Sequence, residues 1–322
     1  MEDTALFNGV TVVSNSRAED GPLESVIKAL PGCSVTRFNS DGMSPAVAVA
    51  QAVTFFTVMF KAQDTKLVVL LGDRYETLAA ALAAMFSAIP VAHIHGGETT
   101  AGAFDDALRH SISHMATLHF VATDDFAVKL ASMGIEPSTI TISGAPGLDG
   151  IEGNSARRGK NEVLVTYHPE TRSPDYGVAQ CRQMLQALAQ HYRSGCDITF
   201  CGVNNDPGSD EIKELIENFC GPRSFAQIVT TMNHREYIER MQHAALVVGN
   251  SSAGVIEAPW VGVPSINLGD RQKGRPMASS VYSSMDCIGQ AITHDDPWTP
   301  IYCGGAAKVI AAVIKDWRDG TR

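Results

Sequence analysis

Two sets of residues in this chain have the types and spacing to do chemistry. In the stretch LVVLLGDRYETLAAALAAMFSAIPVAHIHGGETTAGAFDDALRHSISHMATLHFVAT, Leu67 to Thr123, Asp73 follows one apolar run, His95 and Glu98 follow the next, and Asp105 and Asp106 open the helical segment after that. Gathered in one crevice, such groups suit proton removal and delivery, because crowded carboxyl groups raise one another's pKa and so divide the roles of base and acid. The second set starts at Gly249-Asn250-Ser251-Ser252-Ala253-Gly254, between an apolar run and a helical segment. Its backbone N–H groups and two hydroxyls can surround a phosphate, and Glu257, one turn into that helix, can reach a ribose attached to it. The competing reading of this turn is ordinary capping by Ser or Asn. Gly269-Asp270-Arg271-Gln272-Lys273-Gly274-Arg275 then adds three cations in five residues, so a nucleotide diphosphate is the natural ligand. Neither a GxGxxG after the first strand nor a GxxxxGK[ST] motif is present to support NAD or ATP chemistry.

Two further residues join these sets by position. His168, in Thr166-Tyr167-His168-Pro169-Glu170-Thr171, directly follows an apolar run, and Pro169 restricts its backbone to extended geometry. Arg17 follows the opening strand and can bind phosphate, or else make a surface ion pair. The plain reading of Asp105 and Asp106 is favourable charge at a helix N-terminus. His110 and His114 share a helix face, but with no HExxH pattern they and His119 are read as packing residues or as supports behind the site's own groups.

The elements that must position these groups alternate. Val10 to Val13, Ser34 to Phe38, Leu67 to Leu71, Val91 to Ile94, Leu118 to Ala122 and Ile140 to Ser143 read as strands, with helical spacing between them. Such βαβ units imply a parallel sheet, whose ligands bind outside the carboxyl ends of the strands. Gly150 to Lys160, GIEGNSARRGK, lacks apolar periodicity and reads as a linker. The alternation then restarts: strands Val163 to Tyr167, Asp197 to Val203, Ala226 to Val229, Ala245 to Val248 and Ser265 to Leu268 enclose helices, the last of them Gly254 to Trp260. The expected fold is therefore α/β, two Rossmann-like doubly wound domains facing a cleft, with 1–150 carrying the carboxylates and 151–322 the nucleotide. The last helix, Ala306 to Trp317, can pack on either domain.

Whole-chain properties narrow the functions. At 322 residues and 44% hydrophobic content there is material for two buried cores. The net charge of -10 comes without a basic face, so no nucleic-acid partner is expected. The 7 cysteines show no CxxC pair or metal-ligand spacing, which points to reduced thiols and no metal site. The opening MEDTALFNGVTVVS has no signal-peptide pattern and no window is an uninterrupted membrane span, so a cytoplasmic protein without a membrane partner is expected.

Taken together, GDRYE (Gly72 to Glu76), HIHGGETTAGAFDDALRHSISH (His93 to His114), GNSSAGVIEAP (Gly249 to Pro259) and GDRQKGR (Gly269 to Arg275) resemble, in this order and spacing, the hydrolysing UDP-N-acetylglucosamine 2-epimerases. The resemblance covers nearly the whole chain. It implies a GT-B-like pair of domains, UDP held mainly by the C-terminal one, and release of UDP and N-acetylmannosamine, or the product of a related 2-acetamido sugar, for sialic-acid-like nonulosonates. Asp73, Glu98, Asp105 and His168 match the family's catalytic positions. Ser251 and Ser252 match its phosphate turn, Glu257 its ribose ligand, Arg271 and Arg275 its basic loop, and Arg17 its first-strand arginine. No cofactor is implied, and the expected assembly is a homodimer or homotetramer. Three departures stand out: the opening loop reads Ser16-Arg17-Ala18-Glu19-Asp20-Gly21, the connection from Leu30 to Leu67 is short, and His95 stands where some relatives have glutamate. Either His95 is an acid/base partner, or the proton work rests on Asp73, Glu98 and Asp105. Two rival functions share the nucleotide site: a GT-B glycosyltransferase, disfavoured by the carboxylate-rich turns, and a non-catalytic nucleotide-sugar sensor.

Overall fold

The computed structural model describes residues 6–14, 21–100, 105–154, 162–191, 197–204, 206–230, 232–293 and 298–320. Arg17 lies outside the described residues, as does most of the expected linker. Contacts divide the chain into two compact units. One contains the described residues up to Glu98, then Asp105–Gly150 and the chain from Tyr302 on; the other contains Ile151–Ile301 with Thr99 and Thr100.

The first unit is a parallel sheet in the order β2-β1-β3-β4-β5-β6. Its strands are β1 (Val10–Ser14), β2 (Ser34–Arg37), β3 (Leu67–Leu71), β4 (Val91–Ile94), β5 (Leu118–Val121) and β6 (Ile140–Ile142). Between them run α1 (Gly21–Ala29), α2 (Pro45–Ala62), α3 (Tyr75–Phe86), α4 (Asp105–Met115) and α5 (Asp124–Ser132). Strands buried on both faces need near-continuous apolar runs, which Leu67–Leu71 supplies. In α3 the small side chains of Ala79, Ala80, Ala83 and Ala84 let the helix lie close against its neighbours. The apolar helix α2 is long enough to cross a membrane by length and composition, yet its Ala48, Ala52, Phe56 and Phe60 face is buried in the protein.

The second unit has the parallel order β12-β11-β10-β7-β8-β9. It is built from β7 (Glu162–Thr166), α6 (Val178–His191), β8 (Asp197–Cys201), α7 (Ser209–Cys220), β9 (Ala226–Val229), α8 (His234–His243), β10 (Leu246–Gly249), α9 (Glu257–Val261), β11 (Ser265–Asn267), β12 (Val281–Tyr282) and α10 (Ile288–Ile292). The last helix, α11 (Ala306–Arg318), which could pack on either domain, belongs to the first unit: its Ala306, Ala307, Ile310 and Ile314 complete the core formed by Val12, Leu23, Val26 and Val69. In each sheet the chain reverses its order of laying strands, between β1 and β3 in the first and between β7 and β10 in the second. Those are the places where an open α/β sheet leaves a ligand crevice at its strand ends.

Candidate active site

Each unit gathers its own set of the expected residues. In the first, Asp73 follows β3 and His95 to Glu98 follow β4, one strand over. The second glycine of the pair is sterically required: Gly97 has φ +76°, and a Cβ there would lie 2.5 Å from the carbonyl oxygen of Phe126. The turn thus presses onto α5 and carries Glu98 inward, leaving its side chain 1% exposed against 15% for His95. His95 Nδ1 lies 2.5 Å from Glu98 Oε1, and His95 itself has φ +65°. Asp105, in the first turn of α4, is buried. Asp106 lies 3.6 Å from His110 Nε2, which makes His110 a local partner on the helix surface.

Arg109 is the residue that sequence reasoning missed. Only 3% exposed, it donates from Nη2 to the Asp73 carboxylate and from Nη1 to the Glu98 carbonyl at 3.0 Å. One guanidinium therefore ties the ends of β3 and β4 together, a task suited to its planar fork of donors.

His93 braces the same turns from beneath. It is fully buried, with Nε2–H donated to the Gly72 carbonyl at 2.9 Å and Nδ1 3.1 Å from the Ser113 hydroxyl. Burial, the dominant cause, pushes this imidazole from its ordinary 6.5 down to about 3, and burial also lowers His119, whose Nε2–H donates to the Ser113 carbonyl at 2.9 Å and whose Nδ1 lies 3.1 Å from the Thr139 hydroxyl. Below pH 6.5 the unfolded chain binds a proton that native His93 refuses, so stability is complete above that value and declines as pH falls toward about 3. Denaturant midpoints measured at pH 7 and pH 5 are expected to converge in His93→Gln relative to the unaltered chain. Equal pH slopes in the two proteins would remove His93 as the cause.

In the second unit the switch point is locked by Asn250, which is fully buried. Its Oδ1 accepts from the His168 N–H at 2.7 Å and its Nδ2 donates to the His168 carbonyl at 2.8 Å, so one amide joins the ends of β7 and β10. His168 Nδ1 accepts from the Asn204 N–H at 3.2 Å. In the neutral imidazole the proton must then sit on Nε2, which makes that atom a donor. The buried Gln272 extends the lock: it donates to the Asn250 carbonyl at 2.9 Å and accepts from Arg275 Nη1 at 2.8 Å, so a chain of contacts runs from the basic loop to His168. Arg271 Nη1 reaches the same carbonyl at 3.5 Å. Glu170 accepts from the Asp270 N–H at 3.1 Å and holds the start of that loop; burial raises its pKa.

The phosphate turn differs from the expected helix Gly254 to Trp260. Ser252–Gly254 is a single 3-10 turn and α9 starts only at Glu257, so Glu257 opens the helix instead of lying one turn inside it. The turn uses its own donors, with the Ala253 N–H on Ser251 Oγ at 3.4 Å and the Gly254 N–H on the Ser251 carbonyl at 3.2 Å. What remains for a phosphate is the Ser251 and Ser252 N–H groups and the Ser252 hydroxyl, which have no partner among the described residues. Glu257 Oε2 and Arg271 Nε are buried and also unsatisfied there. Native chains rarely leave such atoms unpaired, so these are the atoms open to a polar ligand at this turn.

A family profile described as UDP-N-acetylglucosamine 2-epimerase matches residues 27–294. The chain is similar to the GDP/UDP-N,N'-diacetylbacillosamine 2-epimerase (hydrolyzing) of Campylobacter jejuni, 31% identical over 259 residues that make up 76% of this chain and 67% of that protein. It is 34% identical to the UDP-N,N'-diacetylbacillosamine 2-epimerase (hydrolyzing) of Legionella pneumophila over 256 residues, 76% and 66% of the two chains. It is 34% identical to the polysialic acid biosynthesis protein P7 of Escherichia coli over 225 residues, 66% of this chain and 57% of that one. The chain thus spans from 57% to 67% of the length of these curated relatives. Among solved structures, UDP-GlcNAc 2-epimerase from Methanocaldococcus jannaschii in complex with UDP-GlcNAc and UDP superimposes with a TM-score of 0.79 at 15% identity, covering 95% of this chain and 99% of that one. At that identity the likeness is one of fold, two Rossmann-like domains of GT-B-like type.

Proposed function

The chain belongs to the UDP-N-acetylglucosamine 2-epimerase family, and from that premise we propose that it is a hydrolysing 2-epimerase of a UDP-linked 2-acetamido sugar. It releases UDP and N-acetylmannosamine, or the corresponding product of a related sugar, for sialic-acid-like nonulosonates. The observation that carries this reading is the array at the ends of β3 and β4, where Asp73, Arg109, Glu98 and His95 form one connected set, with Asp105 buried in the first turn of the helix that carries Arg109. The carboxylate-rich turns after β3 and β4 disfavour a glycosyltransferase, and free UDP without an acceptor separates the two readings. In the proposed reaction a base removes the C2 proton, the C1–O bond breaks with its electron pair leaving on UDP, and a 1,2-unsaturated glycal forms. Water then supplies hydroxide to C1 while a proton reaches C2 from the opposite face. A positioned base contributes ~10² to 10⁴ in rate, and stabilising the departing diphosphate contributes on a similar scale. That second task falls to Ser251, Ser252, Arg271, Arg275 and the His168 Nε2–H, with Glu257 on the ribose and Arg17 on phosphate. Free thiols at the six described cysteines support a reducing, cytoplasmic setting. Exposed Val58, Met85 and Phe86 on the adjacent helices α2 and α3 support a homodimer or homotetramer.

The test is incubation with UDP-GlcNAc and with UDP-2,4-diacetamido-2,4,6-trideoxyglucose, separately, in deuterated water, with products read by NMR. Deuterium at an inverted C2 and free UDP without an acceptor are expected from one of the two. Sugar release with C2 still protonated would replace the elimination by simple hydrolysis, and no release at all would remove the reading.

A further inference from the structure

We infer that His95 and Glu98 form a dyad in which His95 Nε2 is the atom that takes the substrate's C2 proton and Glu98 is a positioning residue. This inference rests on the 2-epimerase reading above. Glu98 is withdrawn from solvent and its Oε1 is engaged by His95 Nδ1 at 2.5 Å, while the more exposed His95 keeps Nε2 without a partner among the described residues. A carboxylate on Nδ1–H fixes the imidazole in the tautomer whose lone pair is on Nε2, and it stabilises the imidazolium that forms when Nε2 accepts a proton.

The backbone supports the same assignment. His95 sits at φ +65°, a conformation uncommon for residues other than glycine and tolerated best among the rest by Asn, Asp and His, and its N–H donates to the Phe120 carbonyl at 2.9 Å. Such strain persists where the surroundings over-determine it, and it concentrates at functional sites. Here the surroundings are named: the buried Glu98 side chain on the ring, Arg109 on the Glu98 carbonyl, and the Gly96-Gly97 turn pressed on α5. The charged or titratable groups tied to the dyad are Arg109, bonded to the Glu98 carbonyl, the Asp73 carboxylate that shares Arg109, and His93 two positions before His95 on β4. Inversion at C2 also requires removal and delivery of protons on opposite faces. One group cannot do both, so His95 serves one face and Asp73 or Asp105 the other. The electron pair of the broken C2–H bond becomes the C1=C2 bond, and the C1–O pair departs with UDP.

Chemical rescue tests the dyad. His95→Gly suits the positive φ and leaves a gap of imidazole size, so the chain is expected to fold and to bind UDP as before while turnover of the active sugar nucleotide falls by ~10² or more. Added imidazole should restore part of that turnover and of the deuterium incorporated at C2. His95→Asn, which also tolerates this backbone, should lose turnover and not respond to imidazole. Glu98→Gln should lower kcat at nearly unchanged KM, and nitrogen-15 NMR should show the His95 ring leaving the Nδ1–H tautomer expected of the unaltered chain. Near-normal turnover in His95→Gly, no imidazole response, or a His95 tautomer indifferent to Glu98→Gln would each overturn the dyad. Failure of the unaltered chain to release UDP from either sugar nucleotide is the distinct result that would remove the underlying reading.

Discussion

Replacing Asp73 by Asn is expected to lower turnover by ~10² or more while UDP affinity stays within about twofold. Asn keeps the size of the side chain and can still accept from Arg109 Nη2, but it cannot exchange a proton and carries no charge. Arg109 would then be left in its buried place facing a neutral oxygen, still bound to the Glu98 carbonyl at 3.0 Å. The nucleotide contacts proposed at Ser251, Ser252, Glu257, Arg271 and Arg275 all lie in the other unit, so calorimetry with UDP should see little. The informative comparison sets this variant beside Glu98→Gln. If both retained nearly full turnover, the carboxylates would be structural and the proton chemistry would rest on His95 and His168 alone.

The strands and their order along the chain were legible because a strand buried on both faces has to be an apolar run, as in Leu67–Leu71 and Leu246–Gly249. The turns that end them were legible because a strand end carrying Asp, His or Glu breaks that run abruptly. The cross-links between turns were not. Arg109, Asn250 and Gln272 act through partners 11 to 82 positions away, and nothing in their local sequence shows that their polar groups are buried and shared. The helix expected from Gly254 breaks because the 3-10 turn satisfies its own N–H groups first and Pro259 can stand only in the first turn of the short α9 that follows. β12 spans only Val281–Tyr282, too short for any periodicity to show. The return of α11 to the first unit was open for a different reason, since a face of Ala306, Ala307, Ile310 and Ile314 fits any apolar core and carries no address.

Gly249→Ala is expected to have the largest effect of any single methyl group added to the phosphate turn. Gly249 has φ +141°, and a Cβ there would lie 1.9 Å from the Thr166 carbonyl oxygen and 2.6 Å from its carbon, closer than non-bonded atoms can approach. The obstructing atoms are backbone, so the end of β10 must move away from β7. That movement pulls on the Asn250 N–H bonded to the Thr166 carbonyl at 3.1 Å, then on both bonds between the Asn250 amide and His168, and then on Gln272 and Arg275. A loss of several buried hydrogen bonds at ~1 kcal/mol each is a large share of a domain's stability. The thermal midpoint should drop by several degrees, and UDP affinity by ~10² or more, because the donors of the turn and the cations of the basic loop lose register together. Gly254→Ala in the same turn is the control: its new Cβ would meet nothing nearer than Ser265 Cβ at 3.8 Å, an ordinary contact, so both quantities should stay close to those of the unaltered chain. Equal behaviour of the two variants would mean that the close approach of β7 and β10 does not organise the nucleotide site.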